Sequence, residues 1–448
     1  MPARPATLSR SSFASPRTGR SNVRWLVCGF LFAATTINYM DRSVLSLIEP
    51  ALHALPFMGW DFSQDASHQS VFNNHFGNIV TSFVLAYGIG LFGAGRLIDK
   101  VGTKVGYALA IFVWALASMS HALVGSVIGF CIARFMLGIG EAGNFPAALK
   151  ATMEWFPPQE RALVTGIFNS GTNVAYFVAP ILIPLVTIKY GWHAAFFTTG
   201  SFGMVWLVLW LLFPYNKLLR DSAPSHAPLV RAPPHTGSLY RKVAKQPGLY
   251  AFAIGKMLTD PIWWFYLFWL PKYFHENYNL DLQHLGPPLI AVYLSSSIGS
   301  VAGGWLAGFR IKRGHSINSG RKFAMLVCAC AALPVMLVPY AHRLFPGNVW
   351  CAVGLLAVAV AAHQGWSCNL FSTPSDMFPS TSVSTVVGIG SAAGAVGGAI
   401  FTQITKIIWT THPFLIFLMG ALAYLIALAI FQKLVPHIGD PEVALAAN

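Results

Sequence analysis

Arg134 and Glu141 stand seven residues apart in the otherwise apolar run IGFCIARFMLGIGEAGNFPAAL. Seven residues make about two helical turns, so the two side chains share a face, roughly 10 Å apart along the axis. A charge at bilayer depth costs several kcal/mol unless it meets a partner or a watery cavity. Arginine stays charged and grips a carboxylate with two parallel bonds. Glutamate can take up and release a proton, with burial and a nearby arginine acting on it in opposite directions. A fixed cation beside a titratable acid is a minimal kit for coupling an anion to a proton. A structural salt bridge to another helix is the rival reading.

Other polar residues interrupt apolar runs at helical spacing. In TTINYMDRSVLS, Thr35, Asn38 and Arg42 share a face and Asp41 is adjacent. These are either an anchor at the membrane edge or a cavity wall. The wall fits better, because the loop beyond them carries no basic residue and the polar stripe runs inward. Asn169, Thr172 with Asn173, and Tyr176 follow at i, i+3/i+4, i+7, and Tyr87 lies among glycines. The run AAHQGWSCNLFSTPSDMFP offers His363, Gln364, Trp366, Asn369 and Thr373. Amides, hydroxyls and a flat ring suit a polyhydroxylated substrate, although each alone serves equally as an interhelical hydrogen bond. In GKMLTDPIWWFYLFWLPKYF, Lys256 and Asp260 are four apart, the weaker order for a helical pair. Lys256 either lines the cavity or reaches the interface by snorkelling.

The elements that must hold these residues are membrane helices. The 448-residue chain is 55% hydrophobic and 10% charged, against about 25% charged in soluble domains. Such runs satisfy their backbone in a bilayer only as helices. Spans are expected at 25–48, 76–95, 105–121, 124–148, 160–187, 192–213, 248–271, 285–309, 322–341, 348–371, 383–409 and 412–434. Twelve spans put both termini on one side. The segments on that side hold about 22 of the 29 Lys and Arg, and the opposite segments about four, a positive-inside bias that makes it the cytoplasm. The bias accounts for the net charge of +14 without a nucleic-acid partner.

Residues 1–24 read as a disordered cytoplasmic tail, 214–247 as a flexible cytoplasmic linker, and 436–448 as a second tail. The linker divides the chain into six-helix halves at 25–213 and 248–435. GRLIDKVGTK after span 2 and GWLAGFRIKRG after span 8 echo one another, as repeats in transporters do. Gly299, Gly303, Gly304 and Gly308 in span 8 and Gly390, Gly394 and Gly398 in span 11 allow close helix approach. The six cysteines fall inside spans without CxxC or metal-ligand spacing and are expected to be packing residues. No metal or cofactor is expected.

GRLIDKVGTK (Gly95, Asp99 and Gly102 within it) resembles the loop after helix 2 of the major facilitator superfamily, departing at Thr103 where a basic residue is usual. INYMDR and ARFMLGIGEAGNFPAALKATMEWFPPQERALVTGIFNSGTN resemble its anion:cation symporter family. GEAGNFPA, GIFNSGTN, DPIWWFYLFWLPKY and HQGWSCNLFSTPSDMFP resemble the hexuronate transporter group. The likeness runs from about residue 22 to 435.

The resemblance implies an all-α membrane protein of two six-helix bundles around a central cavity, working by alternating access. It matches Asp41 and Glu141 to acids associated with proton coupling. It matches Arg42 and Arg134 to arginines associated with the anionic substrate and those acids, and Tyr39 and Tyr87 to aromatic positions lining the site. Asp99 matches the loop acid that helps hold the outward-open state. The expectation is a proton-coupled symporter importing a sugar acid such as glucuronate or galacturonate across a bacterial inner membrane, acting as a monomer. Its substrate contacts are Tyr39, Arg42, Tyr87, Arg134, Asn169, Thr172, Lys256, Gln364, Trp366, Asn369 and Thr373. The rivals are the same fold carrying an aldonate, glucarate or aromatic acid, sodium coupling, a sensor that binds without translocating, and a membrane-embedded enzyme. The last would need a nucleophile and base, and no GxSxG or HExxH occurs.

Overall fold

The computed structural model describes residues 19–53, 55–58, 66–156, 158–222, 243–378 and 380–438. Residues 1–18 of the expected first tail, 223–242 of the linker and 439–448 of the last tail lie outside them.

The described residues form helices and no strands. Helices α1 (Gly19–Leu47), the short α2 (Glu49–Leu52), α3 (Ala66–Val101), α4 (Thr103–Ser120), α5 (Val127–Glu141), α6 (Asn144–Trp155), α7 (Pro158–Tyr190) and α8 (Trp192–Leu212) make the first bundle. A surface helix, α9 (Tyr215–Ser222), follows. The second bundle holds α10 (Pro247–Tyr278), α11 (Gly286–Lys312), α12 (Ile317–Ala332), α13 (Val338–Leu344), α14 (Val349–Met377), α15 (Ser380–Ile408) and α16 (Pro413–Leu434). Eleven membrane positions are filled by segments long and apolar enough to cross. The seventh, α10, is 32 residues long and carries Lys256, Asp260, Lys272 and Glu276. Outward-facing side chains are apolar: Leu212 is 75% exposed and Val301 74%. That surface suits lipid.

The fourth span, expected as one helix, is broken directly after Glu141. Pro146 has no N–H for the Ala142 carbonyl. The Gly143 N–H closes a tighter turn onto the Gly140 carbonyl at 3.1 Å, and α6 restarts at Asn144. Glu141 is therefore the last residue of α5.

Within the first bundle α1 packs on α7, α3 on α5, and α4 on α5 and α8; within the second, α11 packs on α14 and α10 on α15 and α16. Across the bundles α3 meets α15, α7 meets α11, and α1 meets α10. Two of the span-8 glycines are required by close approach. A Cβ at Gly299 would lie 2.0 Å from the Ala361 carbonyl oxygen, and one at Gly303 would lie 2.4 Å from the Gly365 Cα. At Gly308 a Cβ would meet nothing within 4 Å. Gly299→Ala should therefore cost about 1–3 kcal/mol as overpacking and lower the thermal unfolding midpoint of the purified protein. Gly308→Ala should leave that midpoint in place. Equal midpoints for the two variants would contradict this packing.

Candidate functional site

The centre of the molecule is an ion pair between α1 and α5. Arg42 donates from Nε and Nη2 to the same oxygen, Glu141 Oε2, at 2.9 and 2.8 Å. The side chains are 3% and 0% exposed. Aromatic rings surround the guanidinium: Tyr39 at 4.6 Å, Tyr87 at 4.8 Å, and Phe83 and Trp264 at 5.3 Å from centroid to Cζ. Trp264 belongs to α10, so the second bundle closes a cage begun by the first. Ring faces attract a desolvated cation, and this cage holds Arg42 whether or not Glu141 is its partner.

Arg134 and Asp41 flank the pair. Arg134 is wholly buried, and its Nη1 donates to the Arg42 carbonyl at 3.4 Å. Its charge acts on Glu141 and Asp41. Asp41 Oδ1 accepts from the Ser118 hydroxyl at 2.7 Å. Among the described residues Arg134 Nε and Nη2, Glu141 Oε1 and Asp41 Oδ2 have no hydrogen-bond partner. Buried polar atoms are ordinarily paired. One cation and two acids beside Arg42 therefore retain unspent hydrogen-bonding capacity in one place, as a site for an anion and protons would. A shorter polar chain continues beside it. Tyr107 donates to Asn144 Oδ1 at 2.6 Å, and Asn144 Nδ2 donates to Thr35 Oγ1 at 3.4 Å.

Arg134 and Glu141 are both buried, as their shared face implied, but the ion pair forms across helices with Arg42. Tyr39 and Tyr87 line the cage. Lys256 pairs with Asp260 at 2.7 Å on α10. Asn169 is exposed, and Thr172 returns its hydroxyl to the Asn169 carbonyl at 2.8 Å. Gln364 is half-buried. Trp366, Asn369 and Thr373 are fully enclosed in the second bundle. Trp366 donates to Thr259 Oγ1 at 3.2 Å, Asn369 to the Gly303 and Gly365 carbonyls at 2.9 Å, and Thr373 to the Leu370 carbonyl at 2.7 Å. Here their donors serve helix packing. Asp99 pairs with Lys150 at 2.9 Å. Gly102 has φ +85°, which a left-handed turn into α4 needs, and Gly95 borders open space.

A second charged cluster escaped the sequence reading. Lys272 on α10 meets Glu49 on α2 at 3.0 Å, both side chains 0% exposed. Lys272 also pairs with Glu276, which accepts from the Trp409 indole at 2.6 Å. Nearby, Lys406 donates to Asn74 and Asn78 at 2.8 and 2.7 Å, and Gln403 to Thr81 at 2.7 Å. These contacts join the bundles at the end opposite the termini. Lys272 and Glu276 are visible in the sequence as an i, i+4 pair, but the partner Glu49 is 223 residues away.

Burial opposes charge on Glu49, yet the Lys272 ammonium and the His53 ring outweigh it and hold its carboxyl down at about 2. A depressed acid gives its full contribution above the ordinary value of 4.5 and loses it only as pH falls through about 2. The Glu49 carboxylate should thus keep its charge at any pH above about 5. Replacing the six native cysteines and placing one at Ala179, on the void beneath the closure, allows thiol labelling from that end to report it. Lys272→Met should speed labelling roughly tenfold, the equivalent of 1.4 kcal/mol. Labelling of Lys272→Met no faster than that of its parent would contradict this assignment.

Residues 31–402 match the Major Facilitator Superfamily. The hexuronate transporter of Escherichia coli (strain K12) is 26% identical over 401 residues, covering 88% of this chain and 89% of that protein. The hexuronate transporter of Bacillus subtilis (strain 168) is 27% identical over 428 residues, covering 94% and 96%. The galacturonate transporter of Dickeya chrysanthemi is 28% identical over 293 residues, covering 63% and 81%. Among solved structures, a D-xylose-proton symporter superposes with a TM-score of 0.71 over 92% of this chain and 98% of its own, at 16% identity, which is a likeness of fold. With the match spanning most of its length and transporters rather than enzymes among its relatives, this chain belongs to the major facilitator superfamily and is a multi-pass membrane transporter.

Proposed function

We propose that the protein is a proton-coupled symporter that imports a sugar acid, a hexuronate such as glucuronate or galacturonate, across a bacterial inner membrane. Both termini face the cytoplasm, and the monomer is the working unit. The observation that carries this reading is the buried Arg42–Glu141 pair, with Arg134 and Asp41 beside it and their remaining hydrogen-bonding atoms unspent. Relatives that carry hexuronate and galacturonate in their names support the substrate class.

The coupling follows from competition for one guanidinium. While Glu141 is ionised it holds Arg42 with both donors. A proton on Glu141 removes the charge that held them, and a substrate carboxylate takes the vacated face. Arg134 keeps the site cationic when Glu141 is neutral, and Asp41 offers a second acid within its field. Tyr39, Tyr87 and Trp264 supply the flat walls, and the exposed Asn169 and half-buried Gln364 supply polar contacts. The closed end faces the periplasm, so release is to the cytoplasm, where higher pH strips the proton.

Binding of glucuronate and galacturonate to the purified protein, measured across pH, tests the competition. The native protein should bind more weakly as pH rises, because Glu141 reclaims Arg42. Glu141→Gln should bind with little pH dependence and lose uphill uptake, and Arg42→Lys should lose roughly tenfold or more in affinity through the lost fork geometry. If Glu141→Gln still concentrates substrate under a pH gradient, Glu141 is not the coupling acid.

A further inference from the structure

The sugar-acid reading leaves one buried ion pair unused. Lys256 and Asp260 sit one helical turn apart on α10, with Nζ and Oδ2 2.7 Å apart and side chains 5% and 18% exposed. The Phe371 ring lies 3.7 Å from the ammonium. Asp260 is the one ion-pair partner that Lys256 has among the described residues; His363 of α14, hydrogen-bonded to the Tyr424 hydroxyl of α16 at 2.9 Å, lies in the field of the ammonium, and Tyr424 lies in that of the carboxylate. Replacing a buried pair by apolar residues is often neutral or stabilising, so packing alone gives no reason to keep these charges in a membrane helix.

Two features place the pair on the wall shared with Arg42. A Cβ at Gly394 of α15 would lie 2.3 Å from Asp260 Oδ2, so α15 is bare where the carboxylate rests. One turn further, Gly398 lies against both Trp264 and Val84, and Val84 belongs to α3 of the other bundle. The pair thus adjoins the seam between bundles. Trp264, which closes the Arg42 cage, follows Lys256 on the same helix by two turns, about 12 Å.

We propose that Lys256 is a second anion-recognition point, capped by Asp260 in the empty transporter, that takes the far carboxylate of a sugar diacid. This rests on the sugar-acid reading above. Arg42 holds one carboxylate of the substrate, and the other displaces Asp260 from Lys256. Asp260 then takes a proton from the aqueous cavity, carboxylate plus proton giving carboxylic acid, so the charge around Lys256 is unchanged. The one bond made is the O–H bond on Asp260, and the one broken is an O–H bond of the hydronium ion that delivers the proton. A diacid enters with one more proton than a monoacid, and a monoacid leaves the Lys256–Asp260 pair intact.

Galactonate and galactarate are a matched test, since they differ only in a terminal CH₂OH against a carboxylate. Their affinities for the full-length protein, measured by competition binding, give a diacid-to-monoacid ratio for each variant. Lys256→Met should lower that ratio about thirtyfold or more, the size expected for losing one buried charge contact. Asp260→Asn, which cannot cap the ammonium as a carboxylate does, should raise the ratio at neutral pH and flatten its rise toward acid pH. Gly394→Ala, which pushes the Asp260 carboxylate aside, should act in the same direction as Asp260→Asn. A ratio unchanged in Lys256→Met or in Asp260→Asn would overturn the proposal, as would a native protein that binds galactonate but not galactarate. If Lys256→Met does not fold, the Asp260→Asn ratio decides alone. Native protein that binds no sugar acid at all would overturn the functional reading itself, and this inference with it.

Discussion

The arrangement depends on a guanidinium that is buried, caged by aromatic rings, and held by one oxygen of one carboxylate. Arg42 cannot shed its charge, and the rings of Tyr39, Tyr87, Phe83 and Trp264 keep it in place. What can change is the anion it faces. Glu141, at the last residue of α5, is held by the break that Pro146 forces on the helix. Removing one partner of a buried pair is expensive, about 3–5 kcal/mol. Any state in which Glu141 is neutral therefore favours another carboxylate at Arg42. In the proposed symport, coupling follows from this exclusion and needs no long-range signal.

The two ends of the seam are built differently. At the end away from the termini, Glu49, Lys272, Glu276 and Trp409 form a network of ion pairs and a hydrogen bond. Toward the termini from the Arg42 cage lie Asn169, which is exposed, and Asp260, partly exposed beside Lys256. One end thus holds the bundles together through ion pairs, while the other leaves polar side chains partly exposed. Buried ion pairs suit such a closure, because water recovers most of the desolvation cost when the pair opens.

Much of this was legible in the sequence because membrane helices announce themselves. Apolar length, the basic asymmetry and the loop GRLIDKVGTK were enough for the fold, and polar residues at helical spacing picked out Arg42, Arg134, Glu141 and Asp41. Partnership was not legible. Helical spacing gives a face, so Glu141 read either as the companion of Arg134 or as bridged to another helix, and the sequence did not name that partner as Arg42, 99 residues away. The same limit hid Glu49 and Lys272. Asn369 and Thr373 show the complementary limit. An amide or hydroxyl in a span has the same signature whether it meets a substrate or a backbone carbonyl, and here the carbonyls of Gly303, Gly365 and Leu370 take theirs. Glycine spacing in span 8 fared likewise: the tight approach at Gly299 and the open surface at Gly308 are alike as letters.

In the proposed mechanism a proton displaces Arg42 from Glu141 and a sugar acid then takes Arg42, so that one drives the other. The decisive measurement is uptake of labelled glucuronate or galacturonate by reconstituted protein, with pH and sodium gradients imposed separately. Accumulation inside the vesicles is expected under an inward proton gradient alone, and none under sodium alone. Accumulation that needs sodium, or uptake that reaches only equilibrium under a pH gradient, would contradict it.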